Sequence, residues 1–290
     1  MPSHRAAPEK SHWQRNVSVA MSAVIVGGAA VWWMGRADPV DDVLEETTSA
    51  VASTTSAPAS KKSLSWAPTT IEGEAAKTLA DDLSLEELAG QLIVARHRND
   101  EASLALVRDK HFAGVMVTSP QILDVTTDDP LSKIKAFNAD LQDAGADRGY
   151  PVMVPIDQEG GLVTRIRQPL TAFPTFMSAG AAIAGDPQQG AQAITQATKA
   201  SGAELRAAGF NTVFAPDGDI TIGPADPVIG SRSAGTDPDT VAKAVVAAVN
   251  GYSQAGLISA VKHFPGHNVS ADSHSSLPRL ASNKNRLTEH

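Results

Sequence analysis

The sequence predicts a parallel α/β fold, with a closed barrel favoured over a doubly wound sheet as the alternative. Three observations carry that expectation. Helix-like and strand-like stretches alternate in a helix-then-strand order from Ser84 onward. The strand-like runs are too apolar to face water on either side, and the residues that could do chemistry gather just after them. Periodicity alone does not separate the two forms of parallel sheet.

The fold is expected to begin near Ile71, because what precedes it has another character. Arg5, Lys10 and Arg15 stand ahead of an uncharged stretch, Val17–Met34, closed by Arg36. Its 18 residues would span roughly 27 Å as a helix, against a hydrocarbon core of about 30 Å. Residues 1–36 therefore read as a cytoplasmic N-terminus with a membrane anchor, or as a cleaved signal, since Gly35-Arg36-Ala37 has a small-x-small form. Either reading places the rest of the chain outside the cytoplasm. Residues 37–70 are acidic at first and then rich in Ser, Thr, Ala and Pro, with too little apolar surface to offset the entropy of ordering, and read as a disordered tether. Residues 71–290 are left as the folded domain.

Within that domain, Ser84 and Glu87 make a capping box, with Leu85, Leu88 and Leu92 on one helical face leading into a strand at Leu92-Ile93-Val94. A helix over 103–110 then leads to the strand 114–118, and a helix over 131–144 leads to the strand 152–156. Helices over 188–208 and 240–255 lead to strands at 211–215 and from Ile258. Gly209 and Gly256 sit just past helix ends, where a left-handed cap favours glycine.

Composition excludes several classes of function. The net charge of −8 over 290 residues repels phosphate, so a nucleic-acid binder does not fit. Cysteine is absent, which removes disulfides, thiol nucleophiles and thiolate metal sites. His263, His267 and His274 with Asp272 offer a set of zinc donors, but no His-Glu-x-x-His spacing accompanies them and Lys262 sets a positive charge beside His263. No metal is expected.

The ends of the strands carry the candidate site, because loops at the carboxyl ends of parallel strands hold the chemistry of such folds. Asp157-Gln158-Glu159-Gly160-Gly161 follows the third strand, with Arg165 beyond. A carboxylate there can accept two sugar hydroxyls, or the run is simply an acidic turn. Pro216-Asp217-Gly218-Asp219 follows the fourth, and Arg232 offers its planar fork to oxygen ligands or is a solvated loop charge. Lys262 and His263 follow the fifth. In Asp272-Ser273-His274 a carboxylate two residues before an imidazole can fix the ring's tautomer, which suits a proton shuttle near neutral pH.

Several of these motifs occur in one order: D-Q-E-G-G, F-P-T, F-A-P, V-I-G-S-R-S, K-H-F-P-G-H and D-S-H-x-x-L-P. Together they resemble glycoside hydrolase family 3, in its bacterial β-N-acetylglucosaminidase form. Leu162 and Ala234 stand where that family usually has arginine and phenylalanine, and Asn268 where glycine is typical. The resemblance implies a (β/α)8 barrel of the TIM type, of which this chain would hold about five βα units. It implies removal of terminal β-linked N-acetylglucosamine with retention, often from peptidoglycan fragments, with no cofactor. Asp157, Arg165, Arg232, Lys262 and His263 would hold the sugar, and His274, oriented by Asp272, would serve as general acid and then base. The family's nucleophile is an aspartate on a later strand, and no counterpart is expected among these 290 residues. The alternatives are a membrane-tethered glycan-binding module that does not cleave, or a different β-glycosidase specificity.

Overall fold

The structure is a computed structural model that describes residues 68–118, 129–223 and 225–267. The expected anchor Val17–Met34, most of the expected tether, and Asp272 with His274 lie outside the described residues. Among the described residues no helix is long and apolar enough to cross a membrane.

Two short helices lead in. Helix α1 (Thr70–Asp81) starts one residue ahead of Ile71, capped by Thr69, and Glu72 completes a capping box. Helix α2 (Leu85–Gly90) begins at the expected Ser84 box, where Glu87 N–H donates to Ser84 Oγ (3.3 Å) and Ser84 N–H to Glu87 Oε2 (2.8 Å). The helix is shorter than the leucine spacing predicts. It ends at Gly90, Leu92 is 88% exposed outside it, and strand β1 is Val94–Arg96 rather than Leu92–Val94. Glycine is needed at this end because a Cβ on Gly90 would lie 2.6 Å from the backbone oxygens of Lys110 and His111.

Helix α3 (Asp100–Lys110) then leads to β2 (Gly114–Met116), and α4 (Pro130–Ala144) to β3 (Pro155–Ile156). A hairpin, β4 (Gln158–Gly160) and β5 (Val163–Thr164), follows β3 at once. After it come α5 (Met177–Gly185), α6 (Pro187–Ala207), β6 (Thr212–Val213), α7 (Pro238–Gln254) and β7 (Ile258–Ser259). The expected helices exist but start earlier than periodicity placed them, because their first turns are set by caps. Asn99 caps α3, while α4, α6 and α7 each begin with the same Asp-Pro pair: Asp129, Asp186 and Asp237 accept backbone N–H bonds, and proline occupies the first turn. Helix α5 has no counterpart in the sequence reading. Its run Met-Ser-Ala-Gly-Ala-Ala-Ile-Ala-Gly is too uniformly small and apolar to show an amphipathic period.

Outside the antiparallel β4–β5 hairpin, the strands run parallel in sequence order. β1 pairs with β2, and β3 with β6 and then β7. Gly114 bridges Met153 in parallel, and Val115 N–H and Val117 N–H donate to Met153 O and Pro155 O (both 3.0 Å), so β2 and β3 are also neighbours. Only glycine permits that approach, because a Cβ on Gly114 would fall 1.9 Å from Met153 O. The order β1-β2-β3-β6-β7 never reverses, whereas a doubly wound sheet turns back on itself at a switch point.

Val115, Val117, Val152, Val154, Ile156 and Val213 are fully buried with Ile134, Leu141 and Leu205 from the helical layer and Phe210 from the loop before β6. Each such side chain contributes about 1.5–3 kcal/mol by leaving water. A second cluster of Ala179, Ile183, Ile194, Ala234, Val241, Ala244, Ala247 and Ala248 joins α5, α6 and α7. Gly209 and Gly256 adopt left-handed φ of 88° and 75° past the ends of α6 and α7, as their positions require.

Candidate active site

The polar residues after β3, β6 and β7 converge. Pairing of β6 with β7 continues past the strands, with Asp217 bridged to Lys262 and Gly218 N–H donating to Lys262 O (2.6 Å). That register sets the carboxylates after β6 beside the cations after β7. The hairpin after β3 folds back at Gly160 and Gly161, whose φ of 97° and 55° favour glycine. The buried Gln158 ties it: its Oε1 accepts from Arg165 N–H (2.9 Å) and Ile166 N–H (3.1 Å), and its Nε2 donates to Ile166 O (2.8 Å). Arg232 arrives on a short 3-10 turn, Gly230–Arg232. Asp226 supports that turn by accepting from Val228 and Ile229 N–H (both 3.0 Å) and from the Thr221 hydroxyl (2.9 Å).

The site has two tiers. Asp157, Arg165, Arg232, Lys262 and His263 keep side-chain exposures between 13% and 43%, whereas Glu159, Asp217 and Asp219 keep 3% or less. In the outer tier Lys262 Nζ lies 2.7 Å from Asp157 Oδ1, and Arg165 Nη2 lies 3.4 Å from Asp157 Oδ2. The inner tier holds these cations from below. Arg232 donates to both oxygens of Glu159 (Nε 2.9 Å, Nη2 3.0 Å), and Lys262 Nζ reaches Glu159 Oε1 at 2.5 Å. His263 Nδ1 lies 2.6 Å from Asp219 Oδ2, and Asp219 Oδ1 accepts from His267 N–H (2.6 Å). A ring with its proton on Nδ1 fits this pairing and turns Nε2 toward Arg232 Nη2, 3.4 Å away.

The five residues expected to hold a sugar are thus brought together, and the three buried acids beneath them were given no role by sequence. Glu159 lies two residues after Asp157, on the same side of an extended segment, and that spacing was the available signal.

Asp217 and Asp219 are close enough to oppose each other's ionisation, and their surroundings decide the outcome. Burial, with the Asp219 charge beside it, pushes the Asp217 carboxyl up to about 7, since only Asp219 N–H on one oxygen and the nearby Arg232 offset them. Burial acts on Asp219 in the same sense, but the His263 ring and His267 N–H outweigh it and hold that carboxyl below the usual range. Asp217, Asp219 and His263 present donor atoms within 4.8 Å of one another, a spacing that suits a metal ion. Arg232 Nη2, 3.4 Å from Asp217 Oδ2, already sets a positive charge against that group.

Paired carboxylates and cations thus meet at the carboxyl ends of parallel strands, with an imidazole among them, the usual place for a binding site in an α/β fold. The chain matches the model of the glycosyl hydrolase family 3 N-terminal domain over residues 84–290, and it belongs to that family. It is 41% identical over 141 residues to beta-hexosaminidase A of Pseudoalteromonas piscicida, covering 48% of this chain and 23% of the relative. It is 33% identical over 193 residues to beta-hexosaminidase LpqI of Mycobacterium tuberculosis, covering 66% of this chain and 46% of the relative. The solved family 3 β-N-acetylglucosaminidase of Paenibacillus sp. FPU-7 superposes with a TM-score of 0.62 at 35% identity, over 71% of this chain and 38% of that one. The chain spans less than half the length of both curated relatives.

Proposed function

We propose that the protein is a glycosidase that removes terminal β-linked N-acetylglucosamine from glycans such as peptidoglycan fragments. The observation that carries this reading is the convergence of Asp157, Arg165, Arg232, Lys262 and His263 on one surface at the strand ends. Asp157 accepts sugar hydroxyls there, and Lys262, Arg165 and Arg232 donate to hydroxyl and carbonyl oxygens. The strand order without reversal supports a closed barrel as the frame. His274, oriented by Asp272, protonates the leaving oxygen and later deprotonates water, a role that rests on the resemblance and on the spacing of the two residues. The apolar stretch Val17–Met34 supports a tether to the membrane, with the catalytic domain outside the cytoplasm.

Chromogenic N-acetylglucosaminide and glucoside, offered to the native full-length protein, test the reading. Preference for the N-acetylglucosaminide is expected, and preference for the glucoside or no turnover of either overturns it. In the same protein His274→Ala is expected to lower turnover of poor leaving groups by roughly 100- to 10,000-fold, and unchanged turnover removes the acid role.

A further inference from the structure

Two basic side chains of the site, Arg232 and Lys262, meet on one carboxylate. Both lie within 3.0 Å of Glu159 Oε1, and Arg232 also binds Oε2 at 2.9 Å, a side-on pair that fixes the guanidinium plane. Cations this close repel unless an anion stands between them, and Glu159, whose side chain is only 3% exposed, is that anion. A rival lies just beyond. Asp217 is fully buried, its Oδ2 has no hydrogen-bond partner, and Arg232 Nη2 is 3.4 Å away. With Glu159 neutral, the guanidinium would gain by turning down onto that orphaned oxygen.

We infer that Glu159 is a positioning residue: it holds Arg232 and Lys262 in the plane that meets the sugar, against the pull of Asp217. The inference rests on the functional reading above and adds to it the group that orients the sugar-binding cations. It also gives Asp217 a definite effect on sugar binding, which appears only when the Glu159 charge is removed.

The test uses the native full-length protein with N-acetylglucosamine as the probe, measured by calorimetry above about pH 7, where the Asp217 carboxyl is ionised. Glu159→Gln keeps the shape and removes the charge, and is expected to weaken binding by about ten- to a hundredfold, the usual scale for misplaced binding groups. Adding Asp217→Asn to it is expected to recover most of that loss, because the rival anion is gone. In hydrolysis the single variant should raise KM with kcat little changed. A merely destabilised enzyme would instead lose kcat through its unfolded fraction and keep its KM. If Glu159→Gln gives no cooperative melt, Glu159→Asp carries the test, since it retains the charge one methylene short and should bind more weakly with an unchanged melt. Unchanged binding in the folded variant, or a double variant as weak as the single one, overturns the inference while the functional reading stands. A wild-type protein that binds no N-acetylglucosamine overturns both.

Discussion

The lead-in α1–α2 and the helix pair α6–α7 start in similar ways and end up in opposite environments. Thr69 and Ser84 cap the first two helices with full capping boxes, and Asp186 and Asp237 cap the second two. Yet α1 buries no residue, and Ile71, Leu85 and Leu92 are 78%, 83% and 88% exposed, while α7 buries Val241, Ala244, Ala247, Ala248, Gly251 and Tyr252. Capping is local and acts wherever the right side chains fall. Burial is tertiary and depends on what is brought opposite. The same contrast divides the carboxyl groups: hydrogen bonds from Thr69 and Ser84 lower the exposed Glu72 and Glu87, whereas burial raises Asp217.

Substitutions can break that comparison or sharpen it. Leu205 on α6 is fully buried in the core beneath the sheet, so Leu205→Ala should cost about 2–5 kcal/mol in denaturant unfolding. A cost under about 1 kcal/mol would show that the helix pair packs as loosely as the lead-in.

Asp217→Asn probes the cost of burial directly and should have an intermediate effect. Because the folded state holds the Asp217 proton up to about pH 7, while an unfolded aspartate releases it near pH 4, its contribution to stability is full below about pH 4 and is lost as pH rises through about 7. Asp219, held below the usual range, acts in a separate window, its contribution being lost as pH falls below the ordinary carboxylate range. The melting temperature of the wild type should therefore fall relative to Asp217→Asn as pH rises from about 4 to about 7 and level off above that. Parallel profiles would mean that the carboxylate is already compensated.

The smallest effects belong to the lead-in. Ser84→Ala removes a cap and should cost about 1 kcal/mol at most, whereas Leu92→Ala, at an exposed site, should stay within about 0.5 kcal/mol. A larger loss at Leu92 in thermal melts of the full chain would show that this face is covered in the native protein.

What was legible in the sequence follows the range of the forces concerned. The Ser84 box, the glycine caps at Gly209 and Gly256, and the apolar strand segments depend on neighbours a few residues away; the box and caps appear in the structure, while the first strand is shifted from Leu92–Val94 to Val94–Arg96 and the others are shorter than expected. Helix starts were displaced because periodicity ignores the Asp-Pro caps that set them, and Leu92 fell outside its helix, which ends at Gly90 where the chain meets the backbone of His111. The outer tier of the site was reachable as well, since position after a strand and the order of motifs singled out Asp157, Arg165, Arg232, Lys262 and His263. The roles of Glu159, Asp217 and Asp219 came only from the tertiary structure. Their partners are 73 residues away for the Glu159–Arg232 pair and 44 for the Asp219–His263 pair. The parallel register of β3, β6 and β7 brings them together, and a carboxylate has no readable role until the cation opposite it is known.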